Sequence, residues 1–217
     1  MISHEHKLIF IRVTKAASMG MAADLFGYGD KADKVGPRKK PGGIESDYNL
    51  DTSGYWQCDP NHYPLYVVRQ LVTEKLYNSY YKVGFVRNPW DRMYSSYKYE
   101  RSWFANYMPE VLKENAMLRD FKTWISNVSI AGKHGNQFNF VNGCDFIGRF
   151  EKLQEDYDKV RKELGIPTSY LNITNKASSG LGENIISTYR DVYDDETRDI
   201  VATRWAKDIE YFNYEFE

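Results

Sequence analysis

"KVGFVRNPWDRMYSSYKY", residues Lys82 to Tyr99, is the stretch on which the reading of the chain turns. Its apolar run, "YKVGFV" from Tyr81, has the length and composition of a buried strand. Asn88-Pro89 ends that strand, because the residue before a proline is pushed away from helical angles. Proline is itself favoured in the first turn of a helix, so "WDRMYSSYKYERSWF" reads as a helix entered through Pro89. The strand therefore delivers a guanidinium, Arg87, to its carboxyl end, and the helix brings the hydroxyl of Ser95 eight residues later.

Outward from this unit the same alternation recurs. "KLIFIRV" (7–13) reads as a buried parallel strand, and "TKAASMGMAADLF" turns from it into a helix. "HYPLYVVRQLVTEKLYNSY" places Leu65, Val68, Leu71, Val72 and Leu76 at helical spacing. "MLRDFKTWISNV" is a further helix and "CDFIGRF" a third strand. "EKLQEDYDKVRKELG" is an amphipathic helix ending at Gly165, and "DDETRDIVATRWAKDIEYFNY" closes the order as one more helix. Strands alternating with helices specify an α/β domain with a mainly parallel sheet flanked by helices. In such folds ligands bind at the carboxyl ends of the strands, the edge that carries both the Thr14–Met19 turn and the Arg87–Pro89 turn. The expectation is a single domain over 1–217. Residues 27–57, rich in Gly, Pro, Lys and Asp, are read as a long mobile loop.

Composition excludes several classes. With 217 residues and 42% hydrophobic content the chain can bury a core, and a net charge of −1 gives no overall field for a nucleic acid. Residues 31–40 are locally basic, either as a solvated loop or as a rim that attracts an anionic substrate. Cys58 and Cys144 have no CxxC spacing, and the four histidines show no ligand spacing, so neither a disulfide framework nor a bound metal is expected. No apolar run has transmembrane length and none reads as a signal peptide, so the expectation is a cytoplasmic or otherwise soluble protein. The sequons Asn127-Val-Ser129 and Asn172-Ile-Thr174 are taken as chance matches.

The two turns suit an anion. The first offers backbone N–H groups at a helix start together with Lys15, a natural seat for phosphate or sulfate. It is not a nucleoside-triphosphate P-loop, because the lysine precedes the small residues instead of following them. The second offers the planar fork of Arg87 and the Ser95 hydroxyl. Arg87 has a second reading, in which an Arg87–Asp91 or Arg92–Asp91 ion pair caps the helix. Two such turns on one sheet edge fit a ligand with two separated phosphoryl-type groups.

The segments "FIRVTKAAS", "FVRNPWDRMYSSY", "FIGRFEKLQEDYDKV" and "TRWAKDIEYFNYEF" occur in the order seen in carbohydrate sulfotransferases. The chain resembles the sulfotransferase family that includes heparan and chondroitin sulfotransferases, over nearly its whole length. The resemblance implies a P-loop-like, three-layer fold. It also implies the donor 3′-phosphoadenylyl sulfate (PAPS) and the product 3′-phosphoadenosine 5′-phosphate (PAP). Lys15, Ala16, Ala17, Ser18, Met19, Gly20 and Met21 then match the 5′-phosphosulfate loop, with Lys15 neutralising the bridging oxygen as sulfate leaves. Arg87 and Ser95 match the pair on the 3′-phosphate. Phe150 would flank the adenine or, equally, fill the core. Asn175 and Lys176, in "NKAS", match a late loop that closes over the donor. The departures are Thr14 in place of the family's proline, and Met19-Gly20 in place of its Thr-Ser pair, which removes two hydroxyl donors.

Sulfuryl transfer to a hydroxyl also needs a base, most simply a histidine. His62 lies 25 residues ahead of Arg87, where the resemblance places the base; a surface or capping histidine is the competing reading. Tyr55, Trp56, Tyr63, Tyr97, Trp103 and Phe104 suit a saccharide acceptor, with a small alcohol or phenol second, while core or rim packing is the competing reading for most of them. Two rivals stand beside the enzyme: a non-catalytic nucleotide-binding relic, and a P-loop phosphotransferase of the kinase type. The latter would need a Walker lysine followed by a magnesium-binding hydroxyl.

Overall fold

The computed structural model describes residues 1–26, 62–168, 170–171 and 188–217. Strands and helices alternate as β1 (Ile2–Ser3), β2 (Leu8–Ile11), α1 (Ser18–Phe26), α2 (Leu65–Leu71), α3 (Glu74–Ser79), β3 (Tyr81–Val86), α4 (Pro89–Tyr107), α5 (Pro109–Glu114), α6 (Phe121–Asn127), α7 (Gln137–Val141), β4 (Phe146–Arg149), α8 (Leu153–Glu163), α9 (Asp195–Arg204) and α10 (Ala206–Phe212). They fall into two compact units. One comprises Met1–Val86 with Gln137–Ile173, the other Arg87–Asn136 with Thr174–Glu217. The expected long loop, 27–57, lies outside the described residues.

The first unit holds the sheet, in the order β1-β2-β3-β4. β2, β3 and β4 are parallel, with Phe10 opposite Val83 and Val83 opposite Phe146. The three strands read from the sequence are therefore present and joined as expected. The short antiparallel β1, paired through Ile2 and Ile9, was not anticipated, since two residues are too few to show a period. All four residues of β2 are buried, which is why it reads as an unbroken apolar run. Lys82 is buried in β3 because its ammonium is satisfied: it donates to the carbonyls of Tyr77 and Tyr80 and lies 2.9 Å from the Asp145 carboxylate.

Glycines let the strands approach their cover. A Cβ on Gly84 would lie 2.5 Å from a Val141 methyl of α7, and one on Gly148 would lie 2.3 Å from the Phe85 ring on the adjacent strand. Gly148→Ala forces that ring off its seat, and is expected to destabilise the fold by about 1–3 kcal/mol. A lower urea midpoint at unchanged slope checks this, and an unchanged midpoint would mean that the ring has room to turn. The segment expected as one helix at 62–80 is two, α2 and α3. The break comes at Thr73, whose hydroxyl accepts from the Leu76 N–H and starts a new helix. The residues predicted for its apolar face, Leu65, Val68, Leu71, Val72 and Leu76, are all buried. Gly165, with φ +66, follows the last turn of α8 as predicted.

The second unit is helical. α4 begins as the sequence indicates: the Asn88 side chain accepts from the Trp90 N–H and Pro89 sits in the first turn. Its core is aromatic, with Trp124 and Trp205 fully buried and Tyr97 nearly so. Arg92 is also fully buried, donating to the carbonyls of Gly135 (2.9 Å) and Lys133 (2.7 Å). Burial lowers its pKa to about 10, and the nearby Asp208 carboxylate opposes that shift. The C-terminal helix expected over 194–214 breaks at Trp205, between α9 and α10.

Candidate functional site

The first unit builds a loop at the exit of β2. Lys15 (φ 64) and Ala17 (φ 58) both adopt left-handed backbone angles, which cost an L-residue about 1–2 kcal/mol each. Two such residues within three positions turn the chain sharply from strand into α1. Ala16, between them, is completely buried and pins the bend to the core. Beyond it, the Ser18, Met19 and Gly20 N–H groups occupy the first turn of α1, where helix geometry offers no acceptor. The Met21 N–H closes the turn on the Ala17 carbonyl at 3.3 Å, and its side chain lies in the core. Ser18 is buried at 5% exposure while Met19 is 72% exposed, so the Met19 thioether stands outward.

His62 belongs to the same strand exit. Its Nδ1 lies 2.8 Å from the backbone carbonyl of Arg12, three residues ahead of Lys15. A carbonyl only accepts, so Nδ1 carries the proton and the basic lone pair of the neutral ring is on Nε2. The structure thus brings the proposed base and the proposed phosphosulfate loop onto one short segment of backbone. Phe150 leaves the carboxyl end of β4 in a 3-10 turn, Phe150–Lys152, half-buried rather than packed into the core. That turn is fixed from α8, where the Asp156 carboxylate accepts from the Arg149 N–H at 2.8 Å.

In the second unit, Arg87 is the first residue after β3, with its side chain 14% exposed. Its Nε donates to the Asp91 carboxylate at 2.7 Å. The ion-pair reading of Arg87 is therefore realised, and Asp91 takes one of five guanidinium donors. The alternative Arg92–Asp91 pair does not form among the described contacts, because Arg92 is committed to the 133–135 carbonyls. Ser95 is half-buried one turn beyond Asp91 on the same face of α4.

Other candidates settle differently. His134 is buried, with its Nε2 3.1 Å from Glu100; the same carboxylate accepts from Trp124 Nε1 at 2.9 Å and meets Lys133 Nζ at 2.7 Å. These donors hold the Glu100 carboxyl down at about 2 despite burial, which pushes the other way. Tyr63 and Tyr97 are core residues, Phe104 is half-buried and Trp103 is exposed. Asn175, Lys176, Tyr55, Trp56, Cys58 and the basic stretch 31–40 lie outside the described residues. Among the described residues no helix is long and apolar enough to cross a membrane. No group of three or more His, Cys, Asp or Glu among them could hold a metal ion.

What sequence reasoning missed at this site is the Arg12 carbonyl, which has no side-chain signature; the Arg87–Asp91 pair was already signalled by its i+4 spacing. An uncharacterized protein of Archaeoglobus fulgidus is 32% identical over 107 residues, covering 48% of this chain and 83% of that protein. No solved structure matches the chain. The "Sulfotransferase family" matches residues 1–215, both units included, and the chain belongs to that family.

Proposed function

We propose that the chain transfers a sulfuryl group from PAPS to a hydroxyl acceptor, most simply a saccharide, and works as one sulfotransferase domain over 1–217. Membership of the sulfotransferase family supports the reaction class, and the family generally uses PAPS and a hydroxyl acceptor. The observation that carries the finer reading is the β2–α1 loop. Left-handed residues at Lys15 and Ala17 aim the first-turn N–H groups of α1 and the Lys15 backbone around one bend, the geometry of an anion seat. Non-glycine residues hold such angles where the surroundings over-determine them, and these places cluster at functional sites.

In this reading the loop from Lys15 to Gly20 holds the 5′-phosphosulfate. Arg87 and Ser95 hold the 3′-phosphate, Phe150 flanks the adenine, and Asn175 and Lys176 close over the donor. The acceptor oxygen attacks sulfur, and its proton passes to Nε2 of His62. The bond between sulfur and the bridging oxygen breaks, its electron pair staying on the phosphate of PAP. Lys15 neutralises the charge that grows there. No metal is required by these steps.

Met19-Gly20 favours a second reading, a donor-binding chain that has lost turnover, because two hydroxyl donors are missing where charge develops. Two measurements decide. Calorimetry without magnesium should show PAP binding in preference to ATP, and equal affinities would remove the donor assignment. Labelled PAPS with a panel of saccharides, alcohols and phenols should then give sulfated product. PAP binding without any product on the panel would establish the silent copy.

A further inference from the structure

Lys98 has no assigned role, yet it sits where the proposed 3′-phosphate contact is made. On α4 it lies three residues beyond Ser95 and seven beyond Asp91, spacings that return to one face of the helix. Its ammonium lies 4.5 Å from the centre of the Tyr94 ring, one turn back, so the aromatic face fixes the direction of the side chain. The side chain is half-buried. Among the described residues no carboxylate or carbonyl accepts from Nζ, although an ammonium offers three donors.

The charged neighbours are Arg87 and Asp91. Burial lowers the Lys98 pKa first, the Arg87 guanidinium lowers it further, and Asp91 opposes both. Asp91 is already bound to Arg87 at 2.7 Å. The carboxylate that offsets the Lys98 charge is therefore one it shares with Arg87. The Tyr189 and Tyr193 phenols, among the described residues, also lie close to Asp91, and their pKa values are raised chiefly by burial and further by that carboxylate. They bring no compensating charge. Tyr189 donates to the Glu217 carbonyl and Tyr193 to the Trp90 carbonyl, so their hydroxyl protons are engaged elsewhere.

Resting on the donor reading above, we propose that Lys98 is a second cationic ligand of the 3′-phosphate, and that it sets the preference for nucleotides bearing that group. A 3′-phosphate supplies acceptor oxygens and negative charge to the Lys98 ammonium. Arg87 orients the phosphate through its planar fork, Ser95 adds a hydroxyl, and Lys98 contributes a point charge steadied on Tyr94.

The test is calorimetric, on the full chain, with PAP and with 5′-AMP, which lacks the 3′-phosphate. Lys98→Met should weaken PAP by about tenfold or more, as loss of a charge-assisted contact does, and leave 5′-AMP unchanged. Lys98→Arg should recover most of the PAP affinity, and Lys98→Gln should behave like Lys98→Met. Thermal melts matching wild type confirm that the variants are folded. The affinity of Lys98→Met for PAP should also depend less on salt. The proposal is overturned if both charge-removing variants bind PAP within twofold of wild type while Arg87→Ala loses it. A wild type that binds PAP no better than 5′-AMP overturns the donor reading itself, and this proposal with it.

Discussion

Replacing Lys15 by alanine is expected to lower sulfate transfer by about a hundred- to a thousandfold, the scale seen when one aimed electrostatic contact to developing charge is removed. Donor binding should weaken as well, because the ammonium meets the phosphosulfate in the ground state and more strongly as the bridging bond breaks. The backbone angle at this position supplies a control. Lys15 sits at φ 64, where alanine keeps the conformational strain and glycine removes it. Equal losses in Lys15→Ala and Lys15→Gly would locate the effect in the charge. A large loss in one and a small loss in the other would locate it in the bend. Turnover within a few-fold of wild type in both would remove Lys15 from the reaction.

For His62 the expected split is different. His62→Ala should lower turnover by roughly a hundredfold or more, the usual contribution of a positioned base, with PAP affinity nearly unchanged. His62→Asn separates chemistry from support, since its amide N–H can still donate to the Arg12 carbonyl while no basic nitrogen remains. Steady-state rates beside calorimetric affinities read the two effects apart. A fully active His62→Asn enzyme would place the base elsewhere, whereas loss of PAP binding in His62→Ala alone would make the histidine a support for the loop.

The central strands β2 and β3 were legible because they are short and almost wholly buried. "LIFI" and "YKVGFV" show unbroken apolar runs, and Asn88-Pro89 marks the exit of β3 in local chemistry. Helix interruptions were less legible. Val72 and Trp205 continue the apolar pattern through the breaks, of which the first is made by the Thr73 cap, so periodicity alone runs across them. At the site, Lys15 and Ser95 were visible as residue types at meaningful spacing. The left-handed angles of Lys15 and Ala17 were not, because neither residue is the glycine or asparagine that usually announces such a turn. Arg92 and His134 show the opposite difficulty. Both carry chemistry-bearing side chains, and both are engaged inside the second unit, Arg92 with backbone carbonyls and His134 with the Glu100 carboxylate.

The hydrogen bond from His62 to the Arg12 carbonyl has a consequence for populations. A neutral imidazole free in water divides between two tautomers and favours the one with its proton on Nε2, which leaves no lone pair there. Anchoring Nδ1–H on a carbonyl reverses that preference, so the minor species in solution becomes the dominant one in the fold. A group that reacts from only a fraction of its molecules acts at a rate scaled by that fraction. In the proposed mechanism the competent fraction is set by a main-chain oxygen, that of Arg12, one residue beyond β2. Substituting the Arg12 side chain leaves that oxygen in place, whereas a shift of the strand's last residues would move the ring and its tautomer together.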